Sequence, residues 1–256
     1  MQELRFWKVE AAGNDFIFVR YSDVPAGQDV RELTRFLCHR RFGIGADGTI
    51  FIHEAQAYDF EMRYYNADGS GPAMCGNGGR AALCYVHESG LRTQANYTFL
   101  ASDGEHSGVV DADGVRLTIS RPREIRAIAL NSETAYQVDT GVPHLVRVCD
   151  DLDGLDIDAE SPDLRRRYDA NINYIRKLQP GVWKIRTWER GVEGETLACG
   201  TGATASALVI TERLGGDFPL LFQARGGNLT IDQKNKKLWL AGPVRKVFEG
   251  TVVLNR

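Results

Sequence analysis

Two stretches of the chain carry a cysteine in the frame Cys-Gly-(Asn/Thr)-Gly. One is Asn66-Ala67-Asp68-Gly69-Ser70-Gly71-Pro72-Ala73-Met74-Cys75-Gly76-Asn77-Gly78-Gly79-Arg80, the other Glu195-Thr196-Leu197-Ala198-Cys199-Gly200-Thr201-Gly202-Ala203. Each runs into small residues, Arg80-Ala81-Ala82-Leu83 and Thr204-Ala205-Ser206-Ala207-Leu208, that predict a buried helix. The glycines let backbone N–H groups turn toward a ligand, and the helix behind them adds the positive end of its dipole, so each frame is a seat for a carboxylate. The same field favours thiolate over thiol. A cysteine at each of two helix starts, able to meet one anion from both sides, is what deprotonation and reprotonation of a carbon next to a carboxylate require. A single frame of this kind reads more readily as a buried cysteine in a Gly-rich turn, since free cysteine is among the most buried residue types. Its repetition within one chain reverses that reading.

The elements that must position these frames follow from turn signals and periodicity. Arg5–Glu10 and Asp15–Arg20 read as strands around Ala11-Ala12-Gly13-Asn14, where Asn14 can offer its amide to a ligand or serve the turn itself. Asp29 predicts the cap of a helix from Val30 to about Arg40, with Val30, Leu33, Phe36 and Leu37 as its apolar stripe. Gly43-Ile44-Gly45-Ala46-Asp47-Gly48 is a second Gly-rich loop, here given a supporting role through its backbone; no βαβ unit surrounds it, so it is no dinucleotide fingerprint. Asp59–Tyr65 reads as a strand delivering Asn66 beside Cys75, followed by a helix over Asn77–His87 and short strands at Asn96–Ala101, Ser107–Asp111 and Val115–Ile119. The expectation is an antiparallel sheet with one central helix. The second half repeats the plan, with strands from Ala135, a Thr140-Gly141-Val142-Pro143-His144 turn in the place of Gly13-Asn14, a short helix near Pro162–Tyr168, and strands over Ala170–Ile175 and Trp183–Glu189. That last strand puts Glu189 and Arg190 ahead of Cys199 as Asn66 stands ahead of Cys75. A helix over Thr201–Leu214 stops at Gly215-Gly216, and the remainder is short strands.

At 256 residues and 43% hydrophobic side chains the chain can bury a substantial core, and the internal echo favours two domains. Arg121-Pro122-Arg123 reads as the joint, giving lobes over 1–120, carrying Cys75, and 121–243, carrying Cys199, with 244–256 returning to the first. A net charge of −3 from 31 basic and 34 acidic residues offers no general attraction to nucleic acid or to an anionic membrane. With no apolar run near the roughly 20 residues that span a bilayer and no apolar leader, a cytoplasmic protein is expected. Cys38, Cys75, Cys84, Cys149 and Cys199 are odd in number and lack CxxC spacing, so neither a disulfide framework nor a zinc ribbon is indicated.

Gly13-Asn14-Asp15-Phe16, Asn66-Ala67-Asp68-Gly69-Ser70, Met74-Cys75-Gly76-Asn77-Gly78, Gly141-Val142-Pro143-His144, Glu189-Arg190-Gly191 and Ala198-Cys199-Gly200-Thr201-Gly202, in that order, resemble diaminopimelate epimerase from the first strand to the last. The resemblance implies an α+β fold of two pseudo-twofold-related lobes, each a mostly antiparallel, barrel-like sheet around a central helix, with the site in the cleft between them. It implies a reaction needing no pyridoxal phosphate or other cofactor and no metal, on a small amino-acid substrate: interconversion of LL- and meso-diaminopimelate in lysine and peptidoglycan synthesis. Carried over motif by motif, Cys75 and Cys199 are the acid/base pair, while Glu189 and His144 set thiol ionisation and hold the amino group at the reacting carbon. Backbone N–H groups of Gly76, Asn77, Gly200 and Thr201 hold that carbon's carboxylate, and Asn66, Asn171 and Arg190 address the distal end. A homodimer is common in the family, though no apolar stripe in the sequence marks an interface.

The chemistry of the residue types agrees. Inversion needs a base on one face and an acid on the other, and thiols suit both because a reference pKa of about 8.5 is moved toward neutrality by small local fields. The fork of Arg190 suits a terminal carboxylate. The sequence departs from many family members at Val142, where they carry Asn, at Gly48, where they carry Gln, and by one additional residue, Glu193, between Glu189 and Cys199. These leave the thiol pair intact and bear on the substrate, so an epimerase or racemase of another amino acid on the same fold is the nearest rival. Proline racemase-like enzymes usually have His where Asn77 stands, and phenazine-biosynthesis isomerase relatives lack the cysteine pair. A thiol redox or metal-binding protein is a third reading, for which the chain offers no further ligand set.

Overall fold

Strand β1 (Gln2–Ala11) reverses into β2 (Asn14–Arg20) through Ala12 and Gly13, both at positive φ (53° and 85°), the mirror-image turn whose twist matches that of its flanking strands. Helix α1 (Val30–Cys38) follows, capped by Asp29, whose carboxylate accepts from the Arg31 N–H at 2.7 Å. Then come β3 (Gly48–His53), β4 (Phe60–Asn66), α2 (Gly76–Glu88), β5 (Asn96–Ala101), β6 (Gly104–Asp111) and β7 (Gly114–Ile119). The second half runs β8 (Ile125–Leu130), β9 (Glu133–Asp139), β10 (Pro143–Val148), α3 (Ile157–Tyr168), β11 (Asn171–Gln179), β12 (Val182–Glu189), β13 (Gly194–Thr196), α4 (Gly200–Arg213), β14 (Leu220–Ala224), β15 (Gly227–Lys234) and β16 (Lys237–Gly242). Strand β17 (Arg245–Leu254) ends the described chain. This computed structural model describes residues 2–119, 124–130 and 133–254, so Arg121-Pro122-Arg123, expected as the joint, lies outside the described residues.

The chain forms two units, Met1–Leu117 with Pro243–Arg256, and Thr118–Gly242. In the first, strands neighbour one another in the order β17-β1-β2-β3-β4-β5-β6-β7, and β17 lies antiparallel to β1 from Gln2↔Leu254 to Glu10↔Arg245. In the second the order is β8-β9-β10-β11-β12-β14-β15-β16. The senses of successive pairs are the same in both: antiparallel, antiparallel, parallel, antiparallel, parallel, antiparallel, antiparallel. Each parallel pair is joined by a helix, since parallel neighbours need a long crossover: α1 and α2 in the first unit, α3 and α4 in the second. The expected sheets are thus mostly antiparallel, with two parallel steps apiece that local sequence signals do not reveal. Contrary to expectation, the Gly43–Gly48 loop does lie in a βαβ unit, β2-α1-β3, but it leads into β3 and does not open a helix after a strand as a dinucleotide fingerprint does.

Both expected central helices are present and buried nearly all round. In α2 every residue from Gly76 to Val86 is buried, and in α4 every residue from Gly200 to Ile210 except Thr201. Helices without a polar face belong inside a sheet, and the small side chains let the strands close around them. The rest of the first unit's core joins β1, β2 and β3 to α1 through Leu4, Ile17, Val19, Leu33, Leu37 and Phe51; the second unit's joins β10 and β11 to α3 through Leu145, Ile172, Tyr174, Ile157 and Leu164.

Several elements differ from expectation, among them the short β13, which pairs antiparallel with the end of β12 and has no counterpart in the sequence analysis. Strand β8 has no counterpart in the sequence reading, because between buried Ile125 and Leu130 its residues are exposed or half-exposed and show no alternation. Helix α3 begins five residues before Pro162 rather than at it. Asp156 accepts from the Ala159 N–H at 3.0 Å and its carbonyl from the Glu160 N–H at 3.2 Å, closing a first turn upstream of the proline, while Ile157 anchors that turn in the core.

Candidate active site

In the first unit Cys75 is the N-cap of α2. Its backbone is extended (φ −135°, ψ 120°), its Sγ accepts from the Gly78 N–H at 3.4 Å, and its carbonyl accepts from the Gly79 N–H at 2.8 Å. The helix therefore starts at Gly76, and the N–H groups of Gly76 and Asn77 belong to the first turn, where no intrahelical carbonyl serves them. The side chain of Asn77 is buried, with Oδ1 accepting from Arg80 Nη2 at 2.9 Å. Arg80 itself is fully buried, and its Nε and Nη1 have no hydrogen-bond partner among the described residues. Burial lowers its pKa to about 10, with the nearby Cys75 opposing that shift.

Asn14, at the start of β2, faces the same sulfur. Its Nδ2 donates to Asp47 Oδ2 at 2.6 Å, and since a carboxylate only accepts, the amide oxygen is left toward Cys75, 3.8 Å from Sγ. Asp47 is in turn held by Arg40 at 2.7 Å and by its own N–H on Asp15 Oδ1 at 3.0 Å, and Asp15 pairs with Lys8 at 2.7 Å and Arg40 at 2.9 Å. Burial pushes the Asp15 carboxyl up, but the hydrogen bonds and charges of Arg40 and Lys8 outweigh it and hold it below the usual range. The Gly43–Gly48 loop thus contributes a side chain, Asp47, as well as backbone. At the loop's end, a Cβ on Gly48 would lie 2.2 Å from Tyr64 Cε2 and 2.5 Å from the Tyr65 carbonyl oxygen, so the Tyr64 ring fills the space a residue-48 side chain would take. The Tyr64 hydroxyl donates to Asn66 Oδ1 at 2.9 Å, and Asn66 Nδ2 donates to Ser70 Oγ at 3.1 Å.

The second unit repeats the arrangement with different side chains. Cys199 caps α4 (φ −123°, ψ 112°), its Sγ accepting from the Gly202 N–H at 3.3 Å and lying 3.4 Å from Thr201 Oγ1. His144 pairs in register with Asn171 across parallel strands β10 and β11, as Phe16 pairs with Gly48 across β2 and β3. Asn171 Oδ1 accepts from the Arg190 N–H at 2.8 Å and its Nδ2 donates to the Pro143 carbonyl at 3.4 Å, so Asn171 ties the end of β12 to the start of β10. Arg190 Nη1 donates to the Asp169 carbonyl at 3.2 Å and to Asp169 Oδ2 at 3.0 Å. Glu189 Oε1 accepts from Thr196 Oγ1 at 2.6 Å. His144 is 1% exposed; burial, assisted by the charge of Arg190, lowers its pKa to about 3, so its imidazole is neutral.

Of the residues singled out in the sequence, the first unit therefore holds Asn14, Asn66, Cys75, Gly76 and Asn77, with Asn14 in contact with Cys75. The second holds His144, Asn171, Glu189, Arg190, Cys199, Gly200 and Thr201, with His144, Asn171 and Arg190 in a connected row. The sequence reading missed Asp47, Tyr64, Asp169 and Thr196, which hydrogen-bond Asn14, Asn66, Arg190 and Glu189, and also Asn173, which hydrogen-bonds His144, and Thr187, which hydrogen-bonds Asn173. Asn173 carried one available signal: an amide in the strand run Ile172-Asn173-Tyr174-Ile175, every residue of which is buried. Among the described residues no three His, Cys, Asp or Glu side chains gather as a metal-ligand set, and no helix is long and apolar enough to cross a membrane.

The fold matches solved structures at low identity. A phenazine biosynthesis protein of the PhzF family from Bacillus anthracis aligns with a TM-score of 0.78 at 16% identity, covering 99% of this chain and 100% of that one. A hydroxyproline epimerase from Agrobacterium vitis aligns with a TM-score of 0.74 at 14% identity, covering 100% and 94%. These likenesses show the fold, two α+β units of one strand order, and the class of the chain, an isomerase, comes from its family. The family model described as "Diaminopimelate epimerase" matches residues 6–121 and 136–247. A diaminopimelate epimerase from a Nitratiruptor species is 43% identical over 94% of this chain and 96% of its own length, and one from Chlorobaculum tepidum is 37% identical over 96% and 100%. The chain belongs to the diaminopimelate epimerase family.

Proposed function

We propose that the chain epimerises LL-diaminopimelate to meso-diaminopimelate by a two-thiol acid/base mechanism without a cofactor. The observation that carries this reading is the device made twice: a cysteine capping a buried helix, its sulfur against the N–H of the glycine three residues on, at equivalent points of two sheets with one strand order. One thiolate removes the α-proton, the electron pair left on carbon is drawn into the adjoining carboxylate, and the other thiol delivers a proton to the opposite face. The two sulfurs have then exchanged protonation states, and no other reactant is consumed. The amide hydrogens of Gly76, Asn77, Gly200 and Thr201 take the carboxylate and the charge that develops on it. Glu189 receives the α-ammonium group, and the Asn66, Asn171 and Arg190 set takes the distal amino-acid end. In this reading Arg190 leaves Asp169, whose carboxylate is exposed and holds it weakly, for the ligand's carboxylate. The family's identity over nearly the whole chain supports this substrate, and the odd cysteine count without CxxC spacing supports a cytoplasmic location.

The test is incubation with LL-diaminopimelate in deuterium oxide, following label at one α-carbon, for the wild type and for Cys75→Ser and Cys199→Ser. Epimerisation is expected in the wild type and a loss of at least about 10³-fold in each single variant, because a serine hydroxyl is far too weak an acid to replace a thiol. Solvent exchange on a different amino acid only would transfer the reading to another epimerase of this fold, a change that the Tyr64 ring in place of a residue-48 side chain would then explain.

A further inference from the structure

His144 and Asn173 form a buried pair whose hydrogens can be placed from the surrounding heavy atoms. Asn173 is fully buried in β11, and its Nδ2 lies 3.0 Å from His144 Nδ1, 3.3 Å from the Leu145 carbonyl oxygen and 3.4 Å from the Asn171 carbonyl oxygen. Both carbonyls can only accept, so the nitrogen end of the amide must face them, and the Thr187 hydroxyl, 3.1 Å from Oδ1, donates to the oxygen end. The atom next to His144 Nδ1 is therefore a donor, and Nδ1 must be bare. On a neutral ring the proton then sits on Nε2, which is buried without a hydrogen-bond partner among the described residues.

We infer that Asn173 is a positioning residue that holds His144 as its neutral Nε2–H tautomer, so that the imidazole meets the ligand as a hydrogen-bond donor to a carboxylate oxygen and not as a base. A buried donor left without an acceptor is unfavourable, and an incoming acceptor relieves that cost. The strong lowering of the His144 pKa by burial supports the neutral state. Gly202 belongs to the same device: a Cβ there would stand 2.2 Å from Asn173 Oδ1 and 3.3 Å from Cys199 Sγ, so the glycine that gives its N–H to Cys199 also makes room for the amide that orients His144. The carboxylate partner rests on the reaction proposed above; the tautomer does not.

Two-bond proton–nitrogen correlation spectra resolve this directly, since the chain has only 5 histidines. Wild-type His144 is expected to show a bare Nδ1 and a protonated Nε2, unchanged from roughly pH 5 to pH 8. A proton on Nδ1, or titration near pH 6.5, overturns the inference. Asn173→Asp substitutes an acceptor and is expected to move the proton to Nδ1 and to lower kcat about 10²-fold or more, with a smaller change in KM. Thr187→Val removes only the donor at Oδ1 and should leave the tautomer as it is; a swapped tautomer in that variant would show that the two carbonyls do not set the amide. The wild-type spectrum decides the matter even if Asn173→Asp does not fold. An Nε2–H tautomer in a protein that fails to epimerise diaminopimelate would sink the proposed reaction and leave the tautomer standing.

Discussion

Replacing Gly202 by Ala would place a methyl carbon 2.2 Å from Asn173 Oδ1, whereas the same change at Gly78, its counterpart in the first cysteine frame, would place one 3.1 Å from Ile50 Cδ1 and 3.4 Å from Cys75 Cβ. Both glycines are helical, so each substitution gains about 0.5–1 kcal/mol of helix propensity. At position 78 the opposing contact is the far end of a flexible side chain that yields by a few tenths of an ångström, and the net change should lie within about 1 kcal/mol of zero. At position 202 the amide must retreat by nearly 1 Å. Its oxygen accepts from Thr187 and its two amide hydrogens are shared among His144 Nδ1 and the Leu145 and Asn171 carbonyls, so the move weakens about three buried bonds at about 0.5–1.5 kcal/mol each. Partial loss of these, less the propensity gain, puts Gly202→Ala about 1–3 kcal/mol below the wild type. Urea unfolding of the two variants, followed by far-ultraviolet circular dichroism, measures the difference, and epimerase kinetics should show Gly202→Ala losing kcat well beyond Gly78→Ala. Equal midpoints for the two variants, or a Gly202→Ala protein as stable and active as the wild type, would refute the account of Asn173 as a rigid obstacle.

Tyr64→Phe removes the hydroxyl that holds Asn66 Oδ1 at 2.9 Å, and a rise in KM of about 3- to 10-fold with little change in kcat is expected in steady-state assays; an unchanged KM would separate Asn66 from ligand binding. His144 and His53 have folded pKa values lowered to about 3 and about 4 from an ordinary 6.5, mainly by burial and further by the charges of Arg190 and Arg63 respectively. The unfolded chain therefore binds protons that the folded chain refuses: their contribution is fully present above pH 6.5 and is lost as pH falls from there toward 3. Chemical denaturation between those limits should show a stability slope that His144→Gln reduces by about one proton, and an unaltered slope would contradict the burial effect. Arg147→Ala leaves Glu160 without the partner that also bridges to Glu133 at 2.8 Å and lies 5.5 Å from the Tyr174 ring centroid, and because both carboxylates are partly exposed a loss of about 1–3 kcal/mol is expected in thermal or urea unfolding. A change under 1 kcal/mol would mean that water replaces the guanidinium at no cost.

What was legible in the sequence was whatever is encoded locally. The cysteine frames announce their helices because glycines and small residues directly follow Cys75 and Cys199, and the Ala12-Gly13 hairpin and the Asp29 cap are set by a few adjacent residues. Strand partners are not local. Nothing near β2 says that its neighbour is β3 in parallel, and β8 has no alternating pattern to betray it. The same holds for side chains that act through others. Asp47 matters because it faces Asn14, 33 positions away, and Thr187 because register sets it opposite Asn173. A single sequence gives such residues no mark that distinguishes them from an ordinary loop aspartate or strand threonine. The Tyr64 ring over Gly48 is likewise a relation between two strands, visible only once β3 and β4 are paired.

The position of β17 sets an order of events during synthesis. The second unit's strands, β8 to β16, are consecutive in the chain, whereas the first unit's sheet is completed by residues 245–254, which leave the ribosome after all of them. The amino-terminal unit, translated first, must wait with β1 as an open edge until the carboxy-terminal one has emerged, so the lobe made later can close earlier. An exposed edge of that kind is a pairing hazard for nascent neighbours, which makes the last strand a latch against misassembly as well as a structural member.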